Sequence, residues 1–250
     1  MLYAGGGEMD VRRVGRLVAE AVKRPLPDVT RELRNSRGFI AKGLPAPIAV
    51  ALAEKAEREL SAPVLVLADA DCAALPPVMR IRDIMVAAEG IRCEAYAWDR
   101  TERIAARWDE VFLISCGRLE IERAVEAADE LISEARGRTT ALVMEKRHEF
   151  LIDVVLIEPW RLLRLDQNAA AFSMTEMRRE PEDTVGPLYR CAFNLRHLAQ
   201  GVPMNRGVEL LAAGGSDVVW EPLTFLNKRD FETYTSWLVQ LLRYGRPIPA

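Results

Sequence analysis

The chain has 250 residues, of which 50% are hydrophobic and 28% are charged. This is the composition of a globular protein, and it excludes a disordered, collagen-like or low-complexity chain. Its 34 Lys and Arg residues against 37 Asp and Glu residues give a net charge of −3, with the two signs interspersed. Nucleic-acid-binding modules usually carry a basic excess, so nucleic acid is not an expected partner.

The cysteines and the apolar runs indicate the compartment. No apolar run approaches the ~20 residues that span a bilayer, and the first residues do not have the pattern of a signal peptide. None of the four cysteines belongs to a C-x-x-C pair. We therefore expect a cytoplasmic protein without membrane contact, whose thiols are small buried hydrophobic groups. The four are Cys72, Cys93, Cys116 and Cys191.

The N-terminal part of the chain has the spacing of helices. Apolar residues recur every three or four positions over residues 10–24, with Asp10 as a plausible N-cap. A second short helix is predicted over residues 28–35. A short strand follows at residues 38–41, and Pro45 fits the first turn of the next helix.

The middle of the chain alternates between apolar runs and helix-like stretches. This order predicts a parallel sheet with helices on both faces, because strands joined by helices run the same way. Strands are predicted at residues 64–68, 92–97, 111–115, 140–144 and 154–157, with helices at residues 77–88 and 118–136. After residue 160 we predict helices over residues 161–180, 188–199 and 231–244 and a strand at residues 218–220.

The predicted elements suggest three parts. Residues 1–36 form N-terminal helices, residues 37–160 an α/β core, and residues 161–250 a mostly helical part packed on that core. In open parallel sheets, ligands bind beyond the carboxyl ends of the strands. Residues at those ends are therefore the candidates for a site.

The turn at residues 115–118 is the strongest candidate. Ser115, Gly117 and Arg118 would offer a hydroxyl, backbone N–H groups and a guanidinium at a helix start, which together suit a phosphate. Lys42 and Gly43, after the first strand of the core, would add a charge and a turn. The alternative is an ordinary strand-to-helix turn, in which Ser115 caps the helix and Gly117 relieves strain.

Several tracts of residues 37–158 resemble the sugar isomerase (SIS) domain. They are FIAKGLPAPIA at residues 39–49, IRCEAY at residues 91–96, the strand and turn at residues 111–118, and the following TTALV and DVVL tracts. The final helix is similar in kind to the closing helix of phosphosugar isomerases. The resemblance implies a three-layer SIS-like fold, a phosphorylated sugar or other small anion as ligand, and a homodimer without cofactor or metal.

The resemblance also implies an aldose–ketose isomerisation, which needs a proton carrier. Glu158, after the last core strand, and His197, on a predicted helix, are the candidates, although Glu158 also fits a helix N-terminal acid. The Ser- and Thr-rich phosphate turn of the family is reduced here to Ser115 and Gly117, and Pro45 and Pro47 remove backbone donors. The alternative function is therefore a non-catalytic binding or assembly subunit with a degenerate phosphate site.

Overall fold

The fold is known from a computed structural model that describes residues 2–3, 10–36, 39–60, 64–71, 74–97, 100–127, 141–167, 186–214, 220 and 223–245. Three helices and two short strands form the N-terminal part: β1 (Leu2–Tyr3), α1 (Val11–Val22), α2 (Leu26–Ser36), α3 (Ala46–Leu60) and β2 (Val64–Leu65). The carboxylate of Asp10 accepts hydrogen bonds from the first free N–H groups of α1, so the predicted cap is confirmed. Strands β1 and β2 pair antiparallel.

The rest of the described chain forms a larger sheet with three helices. The strands are β3 (Val78–Ala87), β4 (Gly90–Ala97), β5 (Arg100–Arg107), β6 (Val111–Ala127), β7 (Ala141–Leu156), β8 (Arg161–Asp166) and β9 (Thr224–Phe225). The helices are α4 (Pro187–Leu198), α5 (Arg206–Ala212) and α6 (Lys228–Arg243). The protein is thus an α/β protein, as the sequence predicts, and the predicted final helix is confirmed.

The sheet is mixed, so the prediction of a parallel sheet is wrong. Its seven strands lie in the order β5-β4-β3-β8-β7-β6-β9. Only β3 with β8 and β6 with β9 pair in parallel, whereas the other four pairs are antiparallel. Consequently, the carboxyl ends of the strands do not share one rim of the sheet.

Three stretches predicted as helices are strands. Residues 118–127 continue β6, residues 78–87 form β3, and residues 161–166 form β8. Ile121 and Val125 are four apart in the sequence, and this spacing fits one face of a helix as well as one face of a strand. In β3 an irregular register between Ile81 and Asp83 interrupts the alternation that indicates a strand.

Other predicted strands are present with different bounds. The two predicted at residues 140–144 and 154–157 are parts of the single strand β7, which forms a long hairpin with β6. The strand predicted at residues 64–68 is reduced to β2, and the one at residues 38–41 to a single bridge residue, Phe39. The strand predicted at residues 218–220 falls largely outside the described residues.

The described residues form two hydrophobic clusters. The smaller one joins α1, α2 and α3 with β2, around Val14, Leu33 and Leu52. The larger one joins the seven-stranded sheet to α4, α5 and α6. Strand β8 is central in that sheet, and Leu162, Leu163 and Leu165 are each 0% exposed. No described helix has the length and apolar character needed to cross a membrane.

Candidate functional site

The predicted phosphate turn at residues 115–118 lies inside strand β6. Ser115 is fully buried, and its hydroxyl lies 3.2 Å from the hydroxyl of Thr235 on α6. Gly117 faces two aromatic rings, because a Cβ atom added there would lie 2.6 Å from both Phe225 and Phe231. The glycine therefore makes room for the aromatic core rather than for an anion.

Arg118 is also buried and hydrogen-bonded within the fold. The residue is only 5% exposed, and its Nε donates to Oγ1 of Thr224 at 3.0 Å. Because residues 118–127 continue strand β6, no helix N-terminus that would favour an anion lies at this described position. The sequence offered two interpretations of residues 115–118, a phosphate site and an ordinary strand-to-helix turn. Both assumed that these residues form a turn, and this assumption is wrong because they lie within a strand.

The remaining sequence candidates lie on three separate exposed elements. Glu158 is in the turn between β7 and β8, before a cis Pro159. His197 lies on the exposed side of α4, where its ring stacks on Phe193 and its Nδ1 is 2.8 Å from the Phe193 carbonyl oxygen. Lys42 lies over the Phe39 ring at 4.2 Å. Gly43 has a φ of +64°, which explains a glycine at this turn.

A buried polar network connects β6, β7, β8 and α6. The guanidinium of Arg164 makes two hydrogen bonds to Asp153, from Nε at 2.7 Å and from Nη2 at 2.8 Å. Its Nη1 donates to Glu232 on α6 at 2.8 Å. The hydroxyl of Thr235 donates to Asp153 at 3.2 Å and lies next to Ser115. The network thus fixes α6 to three neighbouring strands.

Burial and the neighbouring charges shift the pKa values of Asp153 and Arg164 in opposite directions. Burial raises the pKa of Asp153, and the Arg164 guanidinium offsets part of that rise. Burial acts to lower the pKa of Arg164, but Asp153 and Glu232 more than compensate, and the pKa lies above its usual value. The pair is held by bidentate contacts of the strong, charge-assisted kind. Each polar group here is engaged with a protein partner, so we interpret the network as structural.

A second buried polar residue fixes α5 to the sheet. The side chain of Asn205 accepts from the Cys116 N–H at 2.8 Å and donates to the Cys116 carbonyl oxygen at 2.9 Å. It acts as a substitute strand partner, because it satisfies both backbone groups of one β6 residue. Gly207 then approaches the same carbonyl oxygen, which would lie 2.3 Å from an added Cβ atom.

A different arrangement is found between α1 and α2, where a cleft of about 350 Å³ opens to the solvent. Its lining consists of three arginines and three smaller residues: Arg12, Arg16, Leu26, Pro27, Thr30 and Arg34. Arg12 and Arg16 are one helical turn apart, and therefore project from the same face of α1. Arg34 comes from the last turn of α2.

Close packing of the two helices determines the shape of this cleft. Gly15 of α1 is buried against α2, since an added Cβ atom would lie 3.1 Å from the Thr30 hydroxyl and 3.4 Å from a methyl group of Leu26. Leu33 lies close to the same point. A small residue at the crossing lets the helix axes approach, so the arginines of both helices are brought to one rim.

The cleft is strongly basic. Residues 11–36 hold seven Lys and Arg side chains against three acidic ones, in a chain whose overall charge is negative. Each of those three acids already has a basic partner: the pairs are Glu20 with Lys55, Asp28 with Arg31, and Glu32 with Arg24. Within the described part of the chain, the guanidinium groups of Arg12, Arg16 and Arg34 form no ion pair.

The sequence contains a signal for this cleft. Arg12 and Arg16 have the i, i+4 spacing of one helix face, on a helix that the sequence predicts. Arg34 lies on the next predicted helix, at its far end. What the sequence does not give is the crossing of the two helices at Gly15, which brings the two faces together.

Neither similarity to known proteins nor a cluster of metal-binding side chains among the described residues assigns a function. The chain matches no family model, no curated protein and no solved structure. Among the residues that the structure describes, His, Cys, Asp and Glu side chains do not gather in groups of three or more that would hold a metal ion. The arginine cleft is therefore the candidate functional site.

Proposed function

We propose that the chain is a binding protein for an anion of the phosphate class, and that the ligand occupies the cleft between α1 and α2. The observation that supports this most directly is the set of three arginines around one cleft, which have no carboxylate partner among the described residues. Guanidinium groups present paired donors that match the oxygens of a phosphate. Three positive charges also repel one another, so an anion between them lowers the free energy of the folded protein.

The chemistry of the lining favours binding without catalysis. The six described residues that form it include no carboxylate, imidazole or thiol, which are the groups that transfer protons or attack substrates near neutral pH. The hydroxyl of Thr30 donates to the Leu26 carbonyl oxygen at 2.7 Å, as helical threonines often do. The cleft is thus equipped to hold a charge, and its described lining offers no group suited to move a proton.

Calorimetric titration with inorganic phosphate and pyrophosphate tests the proposal. We expect binding that weakens about tenfold in Arg34→Gln, because a charge-assisted contact is lost at an exposed site. The matched control is Arg31→Gln, which removes the same charge from the same helix. Arg31 is paired with Asp28 and does not line the cleft. Equal losses in the two variants, or no binding by the unmodified protein, would refute the proposal.

A sugar-phosphate isomerase with an SIS-like three-layer arrangement is the second candidate, and the tracts of residues 37–158 that resemble the SIS domain are its support. The homodimer and the cytoplasmic location are likewise predictions from the sequence. Ser115 and Arg118 would have to leave their hydrogen bonds to Thr235 and Thr224 in order to contact a phosphate. Interconversion of fructose 6-phosphate and glucose 6-phosphate, lost in Glu158→Gln or His197→Gln, would favour this candidate. The absence of turnover by the unmodified protein would count against it.

A further inference from the structure

The cleft between α1 and α2 differs from an ordinary basic surface because one of its walls is apolar. Leu26 is 39% exposed, and Pro27 follows it in the wall. Pro27 has no backbone N–H, and the Leu26 carbonyl oxygen is occupied by Thr30. A ligand group on this side of the cleft therefore meets mainly carbon atoms.

The polar groups of the cleft are nearly all donors. Arg12, Arg16 and Arg34 together carry only N–H groups and no acceptor. The one side-chain acceptor in the described lining is the hydroxyl oxygen of Thr30, whose proton is donated to the Leu26 carbonyl oxygen. A ligand with several hydroxyl groups would give up hydrogen bonds to water here and find almost no acceptors in return. A ligand whose polar part consists of acceptors alone incurs no such loss.

From these two observations, and resting on the proposed anion-binding function, we infer that the cleft selects a phosphate monoester of an apolar, above all aromatic, group over a sugar phosphate. The phosphate lies among Arg12, Arg16 and Arg34, and the ring packs on Leu26 and Pro27. The volume of about 350 Å³ is at the small end of ligand pockets, and it accommodates a single ring with its phosphate. Guanidinium planes also stack favourably on aromatic rings, which adds to the preference.

Two kinds of ligand carry an aromatic phosphate monoester: a small aryl phosphate, and a phosphotyrosine side chain of another protein. Both present the same ring and the same dianion to the cleft. They differ in what lies beyond the ring, since only a peptide has flanking residues that reach the exposed basic surface of α1 and α2. The other basic residues in the range 11–36, Arg13, Lys23, Arg24 and Arg31, are exposed, although Arg24 and Arg31 are paired with Glu32 and Asp28. Acidic flanking residues would therefore strengthen binding of a peptide, with Lys23 and Arg13 as their nearest sources of positive charge outside these pairs.

The test compares dissociation constants for inorganic phosphate, phenyl phosphate, glucose 6-phosphate and a short acidic phosphotyrosine peptide, measured by calorimetry on the full chain. We expect phenyl phosphate to bind about five- to tenfold more tightly than either inorganic phosphate or glucose 6-phosphate, because the ring covers part of the apolar wall. Tighter binding of the peptide than of phenyl phosphate assigns the ligand to a protein, and equal affinities assign it to a small ester. Both results support the shared chemistry.

The variant Leu26→Gln replaces the leucine of the apolar wall by a polar side chain of nearly the same volume. We expect it to abolish the preference for phenyl phosphate over inorganic phosphate and glucose 6-phosphate. Leu226→Gln is the matched control, since Leu226 is 68% exposed and does not line the cleft. Equal affinities of the unmodified protein for the phenyl and sugar esters, or a preference that survives in Leu26→Gln, would overturn this inference and leave the anion site intact. Failure of every anion to bind would instead refute the proposed function.

Discussion

Replacement of Arg164 by methionine tests the structural role of the buried network. Asp153 is 0% exposed and Arg164 only 3%, so the variant leaves a carboxylate without its guanidinium in the interior. Among the described residues, the Thr235 hydroxyl at 3.2 Å is the one donor that would remain to it. Removing one partner of such a pair costs about 3–5 kcal/mol, a large part of the roughly 5–15 kcal/mol by which domains are stable.

Urea unfolding followed by tryptophan fluorescence measures this loss. The double variant Asp153→Leu with Arg164→Met is the key comparison, because it removes both charges and restores an apolar interior. We expect the double variant to be more stable than Arg164→Met alone, with a coupling energy of about 1–3 kcal/mol. A loss below about 1 kcal/mol in Arg164→Met, or two single losses that simply add, would refute the reasoning.

The pH dependence gives a second check on the same pair. Burial raises the pKa of Asp153 above its unfolded value, so the folded state binds this proton more tightly than the unfolded state does. The stability from this group is therefore fully present below the unfolded pKa and is lost as the pH rises through the folded pKa. Without Arg164 the folded pKa rises further. We expect Arg164→Met to differ less from the unmodified protein at about pH 5 than at about pH 8, and the opposite order would contradict this assignment.

Two further predictions concern packing around β6 and the thiols. Gly207→Ala should destabilise the protein by about 1–3 kcal/mol, because the new methyl group collides with the Cys116 carbonyl oxygen. The measurement is the thermal unfolding midpoint. A midpoint equal to that of the unmodified chain would contradict this prediction and show that α5 can move away at no cost. Burial raises the pKa of Cys93 and of Cys191 to about 12, and Cys116 is fully buried. At neutral pH a thiol reagent should therefore label at most one of the four cysteines before urea is added and all four afterwards. Labelling of two or more cysteines in the folded protein would contradict the buried positions.

The helices could be predicted from the sequence where caps and spacing agreed. Asp10, the prolines before α2 and α3, and the apolar stripe of α6 each indicate a helix boundary or face, and the structure has those helices. Strands are harder to predict, because a short stretch such as residues 161–166, with three leucines among charged residues, fits a buried strand and a helix equally well. The direction of each strand depends on pairing with distant residues, which one sequence does not contain.

The candidate sites show the same contrast between helices, which local signals predict, and strands, which depend on distant residues. The buried pair of Asp153 and Arg164 requires the antiparallel register of β7 and β8. The helix predicted to begin at residue 161 is a strand over residues 161–166, so that prediction concealed the pair. The predicted site at residues 115–118 depended on a turn that the structure replaces with a continuous strand. The arginines of α1, in contrast, lie on a helix that was predicted with its cap, and their spacing alone places Arg12 and Arg16 on one face of it.

The most direct measurement of the central claim is nuclear magnetic resonance of the arginine side chains during a phosphate titration. The Nε–Hε signals report each guanidinium separately, so they show which arginines bind. The account predicts saturable shifts of Arg12, Arg16 and Arg34 with one shared dissociation constant, and little change for Arg31, which is paired with Asp28. Saturable shifts confined to arginines outside the cleft, or no saturable shift at all, would contradict it.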